Sequence, residues 1–76
     1  MEQKVYRILG DILQIKVDHS TSISMHNTPE WSSIAHIDII MSLEEEFNIL
    51  FSEDDLPLLI SQEAIISKVS QLVNAQ

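Results

Sequence analysis

The segment from residue 33 to about residue 47 has the spacing of a helix with apolar residues on more than one side. One stripe, which we assign to the core, contains Ile39, Ile40, Leu43, Phe47 and Leu50. A second stripe contains Ile34, Ile37 or Asp38, Met41, and then Glu44 or Glu45. A helix that only fills a core needs one apolar stripe. The second stripe is therefore available for function, and a fold of this chain must bury the first stripe while leaving the second one uncovered.

The segment before this helix predicts one more helix and a long loop. Apolar residues recur with 3-1-3-1 spacing over residues 2–15, which predicts the first helix. The single glycine, Gly10, lies inside it and indicates close packing or simple tolerance. Residues 18–30 are polar and aperiodic, which predicts one long ordered loop held to the core by Ile23 and Met25.

The C-terminal part predicts two further helices. Ser52 is a suitable N-cap for a short third helix, which Pro57 would limit. Ser61 would open a last helix, whose inward residues are Ile65, Val69, Leu72 and Val73. The expected fold is all-α: a small irregular four-helix bundle, forming one domain over residues 1–76, with a long loop between helices one and two and a short third helix.

The charge distribution restricts the possible partners. The net charge is −8, and no Lys or Arg occurs between Val17 and Ser67, where all the acids except Glu2 and Asp11 lie. Such a surface repels nucleic-acid phosphates and suits partners with basic patches. Plain solubility is the alternative explanation for the charge. No apolar run approaches the roughly 18 residues of a membrane-spanning helix. The N-terminal sequence, Met1-Glu2-Gln3-Lys4, does not begin a charged-then-apolar signal region, so we expect a soluble cytoplasmic protein without membrane insertion.

Several kinds of chemistry find no support in the residues. The chain has no cysteine and one glycine, which excludes a disulfide framework and a glycine-rich phosphate loop. The acids at 53–55 lack calcium-loop spacing, and the three histidines lack the spacing of helix-borne metal ligands. Ser33, His36 and Asp38 match a catalytic triad in residue type alone, since no oxyanion hole accompanies them. We therefore expect neither a metal site nor enzymatic activity.

The hydroxyl pair that precedes the acidic helix remains as a candidate site. Either Ser32 or Ser33 can cap the helix by accepting an early backbone N–H. A helix N-terminus also favours a phosphate, so a serine there could carry a phosphate-linked group. Residue chemistry alone leaves both roles open for Ser33. Trp31, just before the pair, is expected to pack as a staple residue.

The chain resembles the acyl carrier protein family over residues 28–66. The family has Asp-Ser-Leu at the start of its second helix, often with a Trp before it and Leu-Glu-Glu-Glu-Phe at the helix end. The corresponding segments here are Trp31-Ser32-Ser33-Ile34 and Leu43-Glu44-Glu45-Glu46-Phe47, followed by Phe51-Ser52-Glu53-Asp54-Asp55-Leu56 and Ser61-Gln62-Glu63-Ala64-Ile65. The family fold is a four-helix bundle like the one predicted above.

The resemblance implies a carrier of acyl chains. Family members hold acyl groups as thioesters on a 4'-phosphopantetheine arm, and the modified serine falls on Ser33. It implies as partners a phosphopantetheinyl transferase and the acyl-transferring or condensing enzymes of fatty acid, polyketide or related biosynthesis, and a monomeric carrier. Mapped by position, the implied partner-binding residues are Ile34, Ile37, Asp38, Met41, Glu44, Glu45, Phe51 and Glu53. The acyl chain would fold back between the helices.

One departure from the family motif concerns recognition. Ser32 stands where the family has Asp, which in the family helps the loading enzyme find the serine. Ile34 for Leu and Asp38 for Glu preserve the chemistry. The alternative interpretation is therefore an unmodified carrier-like helical module that acts only through protein–protein interaction.

Overall fold

A computed structural model describes residues 1–75 and contains three α-helices. They are α1 (Glu2–Leu13), α2 (Ser33–Phe47) and α3 (Gln62–Asn74), and a 3₁₀ turn at Leu56–Leu58 precedes α3. α1 packs chiefly against α2, and α3 closes the other side of the core. The prediction of an all-α fold with a long loop after the first helix is confirmed. No helix in the described part of the chain is long and apolar enough to cross a membrane.

The short third helix of the predicted four-helix bundle is a single 3₁₀ turn. Ser52 does not cap it; instead the Ser52 N–H donates to a carboxylate oxygen of Asp55 at 3.2 Å. Pro57 lies in the turn, and Leu59, just after it, leaves helical geometry and is buried. The turn ends at Leu58, which leaves three α-helices in residues 1–75.

The end of α1 explains why Gly10 is a glycine. The helix stops at Leu13, two residues earlier than predicted, because Gln14 adopts the left-handed conformation that commonly ends helices. The chain then folds back, and the Ile15 N–H donates to the Gly10 carbonyl at 3.3 Å. A Cβ at position 10 would lie 3.1 Å from the Ile15 carbonyl oxygen. Of the two expectations for Gly10, close packing is the one observed.

The long loop is tied to the start of α3 by backbone hydrogen bonds. The Met25 N–H donates to the Ile60 carbonyl at 3.0 Å, and the Gln62 N–H donates to the Ile23 carbonyl at 2.9 Å. The buried Gln62 side chain adds a bond from Nε2 to the Asp18 carbonyl. Ile23 and Met25 pack against the core as predicted.

The core combines the inner faces of the three helices with residues from the loops. The predicted helix start at Ser61 is confirmed, since its hydroxyl accepts the Ala64 N–H at 3.1 Å. The buried apolar residues are Val5, Tyr6, Leu9, Leu13, Trp31, Ile39, Ile40, Leu43, Ile49, Phe51, Leu59, Ile65 and Val69. Phe47, Leu72 and Val73 are half-buried against them.

Leu50, which we predicted to be a core residue, is 82% exposed. The prediction extended the helical spacing past residue 47, but α2 ends there and Asn48 is left-handed. The neighbouring residue Ile49 takes the buried position instead.

Asp55 links the 3₁₀ turn to α3. Hydrogen bonds from Ser52, together with the Lys68 ammonium at 3.3 Å, hold the pKa of Asp55 below its ordinary value of 3.8. Because the pKa is lowered by folding, ionised Asp55 stabilises the fold at neutral pH, and this contribution disappears as the pH falls through the lowered pKa.

We expect Asp55→Asn to lower the melting temperature at pH 7. The gap from the unaltered chain should narrow as the pH falls below about 4, where both chains become neutral at this position. Circular dichroism melts from pH 7 to pH 2.5 measure the gap. Asp54→Asn, at an exposed neighbour, serves as the charge-matched control; a gap for Asp55→Asn that is constant with pH would contradict the assignment.

Candidate functional site

The structure distinguishes the two serines at the start of α2. The Ser32 hydroxyl accepts the Ala35 N–H at 3.1 Å, and its backbone is extended, so Ser32 is the N-cap. Ser33 is the first residue of the helix, and its side chain is exposed. The capping role that both serines could have filled thus belongs to Ser32.

The backbone around Ser33 is favourable for an anion. The N–H groups of Ser33 and Ile34 have no hydrogen-bond partner within residues 1–75, as expected for the first turn of a helix. The first turn also contains no acid. The helix dipole adds a partial positive charge at this end. The exposed hydroxyl therefore lies where a linked phosphate would be stabilised.

Trp31, His36 and Leu56 form a hydrogen-bonded chain beside this serine. The Trp31 indole N–H donates to Nδ1 of His36 at 3.1 Å. An indole nitrogen is only a donor, so Nδ1 is the acceptor in this bond and the ring proton is assigned to Nε2. The Nε2–H then donates to the Leu56 carbonyl at 3.2 Å. This chain, which we call the Trp31–His36–Leu56 relay, fastens the 3₁₀ turn to the start of α2.

The relay was not apparent from the sequence. Trp31 was expected to act as a packing residue, and it is buried, but its polar edge also holds His36. The only available signal was a Trp and a His five residues apart across a helix start. Both ring nitrogens of His36 are therefore engaged within this chain of hydrogen bonds.

An apolar pocket lies between α2 and the 3₁₀ turn. Its volume is about 240 Å³, and it is lined by apolar atoms of His36, Ile37, Ile40, Met41 and Leu56. The relay forms one wall, because His36 and Leu56 both line the pocket. The sequence predicted a pocket bordered by the apolar residues of helix two and by the short third helix.

The second stripe of α2 lies in solvent. Ile34 is 76% exposed, Ile37 58% and Met41 62%. The spacing of three and four residues places them on one face of the helix. Asp38 and Glu45 are exposed beside them. Apolar and acidic side chains thus share one solvent-facing surface.

Two of the predicted surface residues have structural roles. Phe51 is buried in the core rather than exposed at the edge of the predicted partner-binding surface, because the chain changes direction after the left-handed Asn48. A carboxylate oxygen of Glu44 accepts the Phe51 N–H at 2.9 Å, and this bond holds the segment after α2 against the helix. Glu53 is exposed, but it lies in the turn before the 3₁₀ turn and not on α2.

The ion pairs leave the acids of the second stripe free. Lys4 pairs with Glu46, Lys16 with Asp18, and Lys68 with Asp55. In the part of the chain that the structure describes, no cation pairs with Asp38 or Glu45. Their negative charge is therefore available to another molecule. No cluster of three or more potential metal ligands occurs within the same residues.

Neither a family model nor a curated protein matches the chain. The geometry of the site therefore carries the functional argument.

We expect His36→Phe to destabilise the fold by about 1–3 kcal/mol, because it leaves the buried Trp31 indole N–H without a partner and removes the bond from His36 to the Leu56 carbonyl. Urea denaturation followed by the fluorescence of Trp31, the single tryptophan, measures the loss. The matched control is His26→Phe at an exposed loop position, which should change the free energy of unfolding by less than about 0.5 kcal/mol. Equal effects would show that the relay contributes nothing.

Proposed function

We propose that this protein is an acyl carrier that bears a 4'-phosphopantetheine arm on Ser33 and presents acyl thioesters to partner enzymes. The observation that supports this most is the exposed Ser33 hydroxyl at the start of a helix whose solvent-facing side is both apolar and acidic. Helix α2 thus carries the serine, a positive helix end and the solvent-facing surface formed by Ile34, Ile37, Asp38, Met41 and Glu45, which we call the docking face.

Ser33 is a better attachment point than Ser32. Modification of the Ser32 hydroxyl would compete with the cap bond to Ala35, which is worth about 1 kcal/mol. Modification of Ser33 disturbs no hydrogen bond, and the free N–H groups of Ser33 and Ile34 lie close to its hydroxyl. A phosphate there gains roughly 0.3–1 kcal/mol from the helix end.

The arm supplies a thiol, which the chain does not have because it contains no cysteine. The apolar pocket beside the relay is the proposed location for part of an acyl chain. Its walls offer only apolar contacts. Ile37 and Met41 both line this pocket and extend into solvent, so they border its entrance.

The docking face suits brief contact with basic partners. Unpaired Asp38 and Glu45 attract Lys and Arg patches over a distance and speed association, while most affinity comes from close contacts. Met41 provides an adaptable apolar contact. The proposed partners are a phosphopantetheinyl transferase and acyl-transferring or condensing enzymes, and the proposed setting is a cytoplasmic monomer without enzymatic activity.

A second candidate function follows from Ser32, which replaces the acid expected in a carrier of this kind. The exposed face of α2 exists whether or not Ser33 is modified, so an unmodified chain could still bind partners. The two functions differ in whether a covalent arm is present.

Intact mass after co-expression with a broad-specificity phosphopantetheinyl transferase tests the arm. We expect one pantetheine adduct, which Ser33→Ala abolishes and Ser32→Ala retains. Ser32→Asp should load faster, since Asp caps a helix as well as Ser and restores the recognition charge. If the unaltered chain gains no adduct while Ser32→Asp does, carriage through that transferase is excluded and the unmodified module is favoured.

The docking face is best tested at Glu45 and Met41, because a Glu44 variant would also lose the bond to Phe51. Glu45→Lys should slow loading by about tenfold at low ionic strength and less at high salt, since it reverses a steering charge. Met41→Ala should weaken binding without changing the helical circular dichroism. The control is Glu63→Lys, at an exposed acid in a hollow that includes no α2 residue. An equal effect of Glu63→Lys would mean that only net charge matters.

A further inference from the structure

We infer that an open groove at the C-terminal end of α2 is a second contact site, which takes one apolar side chain of a partner flanked by Lys or Arg. The choice of partner rests on the proposed carrier function, but binding at this groove does not need the arm. The groove and the Ser33 end of α2 lie at opposite ends of the same helix, about 20 Å apart at 1.5 Å per residue. Its occupant can therefore set which enzymes orient on the docking face.

Apolar side chains from three parts of the fold meet in this groove. Met41 comes from α2, Leu50 from the segment after it, and Leu72 from α3. The groove has a volume of about 700 Å³ and is open to solvent. It shares Met41 and Glu45 with the solvent-facing surface of α2, so the two surfaces are continuous, and Leu50 and Leu72 belong to the groove alone.

The fold gives no reason for an apolar side chain at position 50, which is occupied by Leu50. The left-handed end of α2 places Ile49 in the core and leaves Leu50 82% exposed, more than any other large apolar side chain in residues 1–75. A polar residue at position 50 would cost the fold nothing that the structure shows. Covering this side chain with a partner would remove apolar surface from water, which is favourable in proportion to the area.

The charge of the groove selects the occupant. Glu44 and Glu45 line it, and no Lys or Arg does. A second copy of this chain, at net charge −8, would bring further acids toward these carboxylates, so self-association is disfavoured. A helix with one Leu-like side chain and a cation one turn away on each side matches both the apolar floor and the acidic rim.

The probe is a labelled, Ala-rich helical peptide with one Leu flanked by Lys, compared with the same peptide carrying Ser in place of Leu. Fluorescence anisotropy with the full chain at near-physiological salt measures both. We expect the Leu peptide to bind about tenfold more tightly than the Ser peptide, a difference of about 1.4 kcal/mol. Leu50→Ser should abolish that preference while keeping the helical circular dichroism.

Leu58→Ser is the matched control, because Leu58 is 68% exposed and lines a different hollow. It should leave the preference unchanged. Equal binding of the two peptides, or an equal loss in Leu58→Ser, would overturn the inference. A dimer in sedimentation that Leu50→Ser dissociates would also overturn it, by naming a second copy as the occupant. Ser33→Ala should bind the Leu peptide like the unaltered chain, so a failure of modification and a failure of this groove give different results.

Discussion

The position of the start of α2 relative to the 3₁₀ turn depends on the hydrogen bonds of His36. Its imidazole accepts from the Trp31 indole and donates to the Leu56 carbonyl, so one side chain joins the residue before the helix, the helix itself and the 3₁₀ turn. In a chain this small, where the core is marginal, a bond that joins three segments limits how far they can separate. The relay also forms a wall of the apolar pocket, so opening the pocket toward the turn requires breaking the bond from His36 to Leu56.

The remaining polar contacts divide the acids of the chain into two groups. Glu44 and Asp55 serve the fold, the first through the Phe51 N–H and the second through Ser52 and Lys68. Asp38 and Glu45 make no such contact and stand beside exposed apolar residues. The chain has four Lys and Arg residues, and in residues 1–75 none of them pairs with Asp38 or Glu45. The acidic face is therefore a consequence of where the four Lys and Arg residues lie as much as of the acids themselves.

The parts that could be predicted were those governed by periodicity. The three helices, the inward residues of α3 and the exposed second stripe all follow from residue spacing. Leu50 was misplaced because that spacing ends at Asn48, whose left-handed backbone rotates the residues that follow. Phe51 was placed on the partner-binding surface by the family resemblance, and the same change of direction buries it. The cap could not be assigned between Ser32 and Ser33, since the two side chains are chemically identical and only backbone geometry separates them. The relay joins residues 31, 36 and 56, and its last partner is a backbone carbonyl, which no sequence pattern marks.

Ser32 and the Asp that the related motif has at this position can be compared in two respects, as helix caps and in their charge. Ser and Asp are about equally good N-caps, so the fold gains nothing from one over the other. They differ in charge. An Asp would place a carboxylate next to the Ser33 hydroxyl and would neutralise part of the positive charge at the helix end. Ser leaves the N–H groups of Ser33 and Ile34 without a competing anion. A phosphate on Ser33 would therefore be held more favourably beside Ser32, while a loading enzyme that approaches through basic residues would lose one point of attraction. If Ser33 is loaded as proposed, the remaining attraction would come from Asp38, Glu45 and the exposed apolar stripe, so the face of α2 would matter more for loading here than it would beside an Asp.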